Sequence, residues 1–293
     1  MTNKNILNKF RITHNSKYTF ESAVNIGKIE TRLTPRTCDY QRLDFSQIII
    51  TPLTSQYLES TDQFGNIVFQ YKLNNCFQTL SVSANHTVSI FERKTINFSN
   101  TPSYAHAVTY TKNTLELQIY IEDSFFISRN EIFSNYAKKV FSPEASLLTN
   151  TESLCKQIYA DFTYDPQATN VTTQPIYAFN LRRGVCQDFA HITICCLRSI
   201  GIASRYVSGY IDTKIGVNKN HPVAADASHA WISVYDPTFG WVDFDPTNNR
   251  IVDKSYIEIG YGRDYADLSP LTGHTDSKGK HKVMVAVDVK RIT

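Results

Sequence analysis

The densest pattern of apolar positions in the chain follows Cys186 and has the spacing of a helix. Two stripes recur at intervals of three or four residues, one of Phe189, Ile192, Cys196 and Ile200 and the other of Ala190, Ile194 and Leu197. Apolar residues on two faces are typical of a helix that is buried among other elements. Gly184 precedes the pattern and allows a tight turn, and Gly201 follows it as a stop. The sequence therefore predicts a buried helix with Cys186 at or just before its first residue.

Alternating apolar and polar positions after this helix predict three strands. They are Ser204–Ile211, His229–Tyr235 and Trp241–Asp245, and residues 236–240 predict a tight hairpin between the last two. In that hairpin Tyr235 pairs with Trp241, which leaves His229 one diagonal step from Asp245 on the same face. A slip of one residue would separate the two side chains. The polar loop between the first two strands, residues 212–225, is predicted to form a mobile rim.

The first part of the chain, residues 10 to 125, is predicted to be mostly β-structure. Four segments are rich in β-branched and aromatic residues, namely Lys28–Thr34, Gln47–Thr51, Ile67–Leu73 and Thr79–Phe91. Turn-forming clusters separate them, and short strands at this spacing favour a sandwich-like sheet domain. This part shows no catalytic signature. Its histidines, His14, His86 and His106, are therefore interpreted as structural or solvent-exposed.

The pattern becomes helical between residues 125 and 165. Glu131–Phe141 and Ala145–Phe162 predict two helices, with a proline in the short segment between them. We place a domain boundary here, which gives a β-rich N-terminal domain at 1–130 and a second domain at 131–293 that contains the predicted Cys186 helix. The last segment, 281–293, alternates valines with polar residues and predicts a half-buried strand.

Composition and charge restrict the class of protein. The 293 residues carry 30 basic and 27 acidic side chains, a net charge of +3, and this even balance gives no reason to expect binding to nucleic acid or to a membrane surface. The sequence has no run of about 18 apolar residues and no secretory leader, so a cytoplasmic location is expected. The six cysteines lack the spacing of a disulfide scaffold or a zinc site, which fits reduced thiols.

Three side chains in the predicted elements have the chemistry of a cysteine nucleophile and its base. Cys186 at a helix start lies where free backbone N–H groups and the helix dipole favour a thiolate. His229 would take the thiol proton, and Asp245 would fix the imidazole tautomer and support its positive charge. The alternative is structural, because a free cysteine is more often a small buried apolar residue. In that case His229 is a hydrogen-bonded strand histidine and Asp245 caps the turn before Pro246.

Other residues compete for the supporting roles. Asp226 and Asp243 are alternative carboxylates, although the strand face disfavours Asp226 and Asp243 lies one step farther along its strand. Asp188 is predicted in the first helical turn, where a carboxylate suits the dipole. The oxyanion of an acyl-transfer reaction is expected to be bound by the backbone N–H of Cys186 and by one side chain. The candidates for that side chain are Tyr164, Gln187 and Trp231.

Six motifs of the second half resemble the bacterial transglutaminase-like superfamily, in the order that this family has them. They are Gly184-Val-Cys-Gln-Asp-Phe-Ala-His191, Leu197-Arg-Ser-Ile-Gly201, Ser204-Arg-Tyr-Val-Ser-Gly-Tyr210, Asp226-Ala-Ser-His-Ala-Trp231, Gly240-Trp-Val-Asp-Phe-Asp-Pro-Thr-Asn248 and Gly262-Arg-Asp-Tyr-Ala-Asp267. The N-terminal part resembles the N-terminal domain of the family through two further segments. These are Phe10-Arg-Ile-Thr-His14 and Ile29-Glu-Thr-Arg-Leu-Thr-Pro35.

The resemblance implies a papain-like α+β core, in which a helix that bears the cysteine packs on an antiparallel sheet. It also implies that Cys186, His229 and Asp245 form a catalytic triad that acts on a peptide or protein substrate through a thioester acyl-enzyme. Because bacterial members of the family are commonly described as cysteine proteases, we expect hydrolysis of a peptide or isopeptide amide. Transfer to an amine, as in a transglutaminase, and a non-catalytic binding role are the alternatives. The sequence has no calcium-loop signature, so no metal or other cofactor is expected.

Overall fold

The structure is a computed structural model that describes residues 5–212, 228–277 and 279–292. Its strands are β1 Ile6–Val24, β2 Gly27–Thr31, β3 Gln41–Thr51, β4 Tyr57–Thr61, β5 Ile67–Leu73, β6 Phe77–Phe91, β7 Thr163–Tyr164, β8 Arg183–Gly184, β9 Ser204–Ile211, β10 Ser228–Asp236, β11 Gly240–Asp245, β12 Arg250–Ile251, β13 Tyr256–Gly262, β14 Leu271–Thr275 and β15 His281–Arg291. Its α-helices are α1 Tyr104–Lys112, α2 Glu131–Lys138, α3 Leu147–Asp161, α4 Pro175–Leu181, α5 Cys186–Ser199 and α6 Tyr265–Leu268. The predicted rim loop, apart from Asp212, lies outside the described residues.

Two four-stranded antiparallel sheets form the β-rich part of the molecule. The first sheet has the strand order β15-β1-β6-β3 and the second sheet has the order β14-β2-β5-β4. Along β6 every second residue from Leu80 to Val88 is buried, because successive side chains of a strand point to opposite faces. Buried side chains of both sheets share one core, made of Phe20, Val24, Ile29, Leu33, Ile50, Tyr71, Leu73, Phe77, Leu80, Val82 and Ala84. This packing is the sandwich-like arrangement that the strand spacing predicts.

The central sheet, of order β12-β11-β10-β9-β13, is antiparallel throughout and packs against α5. Ile194 and Leu197 of α5 lie in one buried cluster with Ile232 and Val234 of β10. Helices α2, α3 and α4 contact α5 as well, which explains the apolar stripes on more than one of its faces. The buried helix on an antiparallel sheet confirms the predicted α+β core. Among the described residues, no helix combines the length and the apolar character that crossing a membrane requires.

The first sheet packs on the central sheet. The side chains they bury together are Phe10, Ile12, Val88, Ile90, Tyr210, Ile257, Ile259 and Val289. Beside this cluster His14 Nδ1 lies 3.0 Å from the Tyr210 hydroxyl. Gln41 Nε2 donates to the carbonyl of Glu258 at 2.8 Å, and Gln41 Oε1 accepts from the N–H of the same residue at 2.8 Å. The N-terminal β-structure therefore supports β13 of the central sheet directly.

The region from 10 to 125 is not β-structure to its end, which corrects that part of the prediction. It closes with α1 and with two 3₁₀ turns, Phe98–Asn100 and Leu115–Tyr120. Ser103 caps α1, since its hydroxyl accepts a hydrogen bond from the N–H of His106 at 3.3 Å. Ala107 and Thr111, one helical turn apart, are both buried. The cap and the burial at this spacing outweigh the β-rich composition of the segment.

The C-terminal strands lie in the sheets of the β-rich part, where β15 pairs with β1 and β14 pairs with β2. As the edge strand of the first sheet, β15 is more exposed than the half-buried strand that its valines predict. Val289 is 7% exposed, but Val283 and Val285 are each 43% exposed. The cluster shared with the central sheet covers β15 only near Val289. The division of the chain into 1–130 and 131–293 stays a prediction.

Candidate active site

Cys186 is the half-buried first residue of α5, and hydrogen bonds hold the turn that precedes it. A Cβ at Gly184 would lie 2.5 Å from Oδ2 and 2.7 Å from Cβ of Asp188, so the chain has room only for glycine there. Asp188 accepts hydrogen bonds from the N–H of Val185 at 2.8 Å and from the Thr169 hydroxyl at 2.6 Å. The thiol therefore stands at a fixed helix N-terminus, where the dipole favours negative charge.

His229 and Asp245 meet across the hairpin of β10 and β11. Tyr235 pairs with Trp241, which confirms the register predicted from the alternation. His229 Nε2 lies 2.7 Å from Asp245 Oδ2, and both side chains are buried. The thiol of Cys186 lies near enough to the imidazole to raise the pKa of His229. Because Nε2 faces Asp245, Nδ1 is the ring nitrogen left for the thiol. The structure thus brings together the three side chains that the sequence singles out.

Asp245 accepts five hydrogen bonds in a site that is closed to solvent. Its Oδ1 accepts the N–H groups of Thr247 at 2.9 Å and Asn248 at 3.1 Å. Its Oδ2 accepts His229, the side-chain amide of Asn248 at 2.6 Å and the Tyr256 hydroxyl at 2.8 Å. The sequence pattern indicates no role for Asn248 or Tyr256. The Asp-Pro-Thr-Asn segment could have indicated the Oδ1 contacts, because aspartate in a turn commonly accepts the N–H two residues on.

Charge and burial act in opposite directions on this pair. Burial is the largest influence on His229 and lowers its pKa, but the charge and hydrogen bond of Asp245, together with Cys186, raise the pKa of His229 to about 10. Burial by itself raises the pKa of Asp245, yet the imidazolium charge and three side-chain hydrogen bonds bring it below its usual value. Both shifts favour an imidazolium–carboxylate pair.

The competing carboxylates are engaged elsewhere or lie outside the described residues. Asp243 Oδ2 accepts a hydrogen bond from Arg93 Nη1 at 2.9 Å. Asp188 holds the turn before α5, and burial raises its pKa above the usual value. Asp226 lies outside the described residues. Among the carboxylates that the structure describes, Asp245 is therefore the one hydrogen-bonded to His229.

Four of the other five cysteines differ from Cys186 in burial. Burial raises the pKa of the fully or nearly fully buried thiols Cys155, Cys195 and Cys196. It also raises the pKa of the half-buried Cys38, while Cys76 is exposed. Three of the five are therefore shielded from reagents as well as disfavoured as thiolates.

The three candidate side chains for an oxyanion site occupy different positions. Trp231 is fully buried in a cluster of the central sheet, with its ring centroid 5.4 Å from that of Tyr256. Gln187 Nε2 donates to the carbonyl of Val171 at 3.1 Å. Tyr164 pairs with Gly184, two residues before Cys186, in the parallel strands β7 and β8. Tyr164 is thereby tied to the turn that carries the thiol, and Gln187 directly follows Cys186 in α5.

Comparison with known proteins gives matches over both parts of the chain. Residues 134–246 match the transglutaminase-like superfamily, and residues 10–89 match the bacterial transglutaminase-like N-terminal region. An uncharacterized protein of Mycobacterium tuberculosis is 32% identical over 289 residues, which cover 96% of this chain and 92% of that protein. The protein-glutamine gamma-glutamyltransferase of Pseudomonas aeruginosa is 31% identical over 87 residues, 29% of this chain and 13% of that protein.

The crystal structure of a protein from Cytophaga hutchinsonii, described as a putative cysteine protease, has the same fold. It superimposes with a TM-score of 0.76 at 20% identity and covers 99% of this chain and 92% of its own. Both parts of the chain are covered by the two family matches, by the full-length relative and by the shared fold. The chain belongs to the transglutaminase-like superfamily and carries the bacterial transglutaminase-like N-terminal region.

Proposed function

We propose that this protein is a cysteine-nucleophile acyl-transfer enzyme that hydrolyses peptide or isopeptide amide bonds. The observation that carries the proposal is that Cys186, at the start of a buried helix, lies beside His229, which is hydrogen-bonded to Asp245. In this role Cys186 is the nucleophile and His229 is the general base and acid. Asp245 is the carboxylate that orients the imidazole and stabilises its positive charge. The proposal involves no cofactor and takes the substrate to be a peptide or protein.

The reaction follows from the positions of these groups. His229 holds the proton of Cys186, and the thiolate attacks the carbonyl carbon of the amide. The tetrahedral oxyanion is bound by the N–H of Cys186, and Tyr164 is the side chain that we favour as the second donor. The C–N bond breaks as His229 gives its proton to the leaving amine, which leaves a thioester on Cys186. Water, deprotonated by His229, attacks the thioester, and the acid leaves as the thiol is restored.

The second candidate function replaces water by a primary amine in the last step, so that the products are a new amide and the free thiol. The local similarity to a protein-glutamine gamma-glutamyltransferase favours this candidate, over 87 residues. The thioester is common to both reactions, and the acceptor alone separates them. A binding module without catalysis would leave Cys186 without enhanced reactivity.

A two-part experiment tests the proposal. Wild type and Cys186→Ala are first treated briefly with iodoacetamide at neutral pH, and alkylated residues are identified by mass spectrometry. We expect Cys186 to react about tenfold or more faster than the exposed Cys76, since a thiol paired with an imidazolium has more thiolate character. Equal reactivity of the two cysteines would contradict the proposal and favour a binding module.

The second part follows the acyl group. A library of peptides with side-chain and backbone amides is incubated with each protein, with and without a fluorescent primary amine. Hydrolysis predicts acid products with the wild type, none with Cys186→Ala, and little incorporation of the amine. Predominant incorporation of the amine would instead identify a transferase. Absence of both products together with an unreactive Cys186 would exclude acyl transfer.

A further inference from the structure

We infer that Tyr256, together with Asn248, is a positioning residue that takes up part of the Asp245 charge and so limits how strongly His229 holds its proton. This inference rests on the proposed function, in which His229 must release a proton in one step and accept one in the next. It assigns a role to two side chains outside the Cys186–His229–Asp245 series. Their contacts with Asp245, given above, are the starting point.

The hydrogen bonds of Asp245 divide into two groups. The two backbone N–H groups on Oδ1 belong to the turn that follows β11, and they already fix the plane of the carboxylate. The side chains of Asn248 and Tyr256 converge instead on Oδ2, the oxygen that faces His229. Three donors on one oxygen compete for its lone pairs. The neutral donors therefore act on the bond to His229 rather than on the shape of the turn.

Tyr256 reaches Asp245 from β13, a strand that does not pair with β11, the strand of Asp245. It is the first residue of β13, which pairs with β9, while β10 and then β11 follow on the other side. Its ring lies beside His229, with centroids 6.1 Å apart, and it is 1% exposed. Burial and the charge of Asp245 raise the pKa of Tyr256 well above its usual value. The phenol therefore keeps its proton and is a donor at neutral pH.

The direction of the effect follows from the dipole of the hydroxyl. Its positive end points at Asp245 Oδ2, so it reduces the negative potential that the carboxylate exerts on the imidazole. Without it, Asp245 would stabilise the imidazolium more strongly, and the pKa of His229 would rise. Loss of the carboxylate itself has the opposite effect. The side chain of Asn248 acts in the same direction as Tyr256, because its amide also donates to Oδ2.

The charged and titratable groups around His229 are few in the described part of the chain. Asp245 of β11 and Cys186 of α5 contact it directly. Arg250 and Asp253, between β11 and β13, act on Tyr256 in opposite directions. A change at Tyr256 therefore reaches His229 mainly through Asp245.

The experiment is an NMR titration of His229 in full-length protein labelled with ¹⁵N-histidine, assigned by comparison with His229→Gln. In Tyr256→Phe we expect His229 to bind its proton about three- to tenfold more tightly than in wild type, which is part of the strength of a hydrogen bond to a charged group. Asp245→Asn should shift the titration the other way. The matched control is Tyr210→Phe, which removes another buried hydroxyl from the central sheet, one that contacts His14 instead.

Asn248→Ala is the second variant and should shift the titration in the same direction as Tyr256→Phe. An unchanged or weaker proton affinity of His229 in either variant, with Tyr210→Phe like wild type, would overturn the inference. A purely structural role predicts that outcome, because a loosened contact with Asp245 can only weaken the imidazolium. The proposed function fails separately, if Cys186 of the wild type is no more reactive than Cys76, whatever the titration shows.

Discussion

At the scale of single residues, the chemistry of the site depends on which carboxylate faces His229. Asp243 and Asp245 are two residues apart on β11 and share a face, but their partners differ. Asp243 binds Arg93 at 2.9 Å, whereas Asp245 binds His229 at 2.7 Å. The two positions therefore form a natural pair of test and control.

Asp245→Asn should keep the fold but slow the alkylation of Cys186 at neutral pH by about one to three orders of magnitude. The corresponding change in a serine protease costs about four orders in turnover. A thiol at a helix N-terminus depends less on its base, which is why we expect a smaller loss. Because the amide carries no charge, the pKa of His229 should fall, and alkylation of Cys186 should begin at a higher pH. The measurement is the rate of iodoacetamide labelling against pH.

Asp243→Asn is the control for this prediction. It removes the partner of Arg93 and should lower stability, because a buried ion pair that loses one member leaves the other charge unpaired. The pH dependence of Cys186 alkylation should nevertheless match that of the wild type. A shifted profile in Asp243→Asn and an unshifted one in Asp245→Asn would show that the carboxylate has been misassigned.

The sequence predicts this residue pair because alternation in a short hairpin determines which side chains share a face. A loop of five residues between the two strands pairs Tyr235 with Trp241. This register places His229 beside Asp245. Tyr256 could not be found in this way. Its contact with Asp245 depends on the order of strands in the sheet, which alternation along a single strand does not specify.

At the scale of elements, the start of α5 has no room for a side chain at Gly184. Gly184 and Asp188 are four residues apart, and the carboxylate occupies the space that a side chain at Gly184 would need. The sequence indicated a tight turn at this glycine. It gave no sign that Asp188 folds back to bind the N–H of Val185 and the hydroxyl of Thr169.

Gly184→Ala should lower the free energy of unfolding by about 1–3 kcal/mol, the usual cost of overpacking a closed site. It should also slow the alkylation of Cys186, because relief of the clash must move Asp188 or the turn that it holds. Urea unfolding and iodoacetamide labelling measure the two effects. Gly27→Ala is the matched control, since a Cβ there would meet its nearest neighbour at an ordinary 3.5 Å. Equal stability of the two variants would contradict this account of the turn.

The bounds of the elements show where the local sequence pattern is sufficient to predict a helix or strand. Ser204–Ile211 is predicted and observed with the same bounds, because its alternation is regular and Gly201 precedes it. The sequence pattern does not indicate α1, because this helix buries only Ala107 and Thr111. A short helix with so little apolar surface has a weak periodic signal.

At the scale of the whole molecule, the ends of the chain meet in one sheet. β15 pairs with β1 along its length, and together with β6 they place apolar side chains on the central sheet. The sequence predicted a strand at 281–293 but not its partner. The sequence near either strand contains no pattern that indicates a pairing between positions 10 and 290, because this pairing depends on how all the elements between them fold.

Two histidines of the first sheet, His14 and His86, are also buried, and His14 contacts Tyr210 of the central sheet. Burial lowers the pKa of His14 to about 4. Burial and the nearby His14 lower the pKa of His86 to about 4 as well. Each imidazole is therefore neutral in the folded protein at neutral pH. The sequence-based interpretation of His14, His86 and His106 as structural or solvent-exposed agrees with the burial of the first two and the exposure of His106.

These two histidines should make the protein sensitive to mild acid. Their pKa in the unfolded chain is about 6.5, so between pH 6.5 and 4 the unfolded chain binds protons that the folded protein does not. Their contribution to stability is therefore complete above pH 6.5 and declines as the pH falls towards 4. His14→Gln should reduce the loss of unfolding free energy between pH 7 and pH 5 by about 1–2 kcal/mol. Urea unfolding at the two pH values measures it, with His106→Gln as the exposed control. If both variants lose as much stability as the wild type, protonation of His14 is not what weakens the contact between the two sheets in acid.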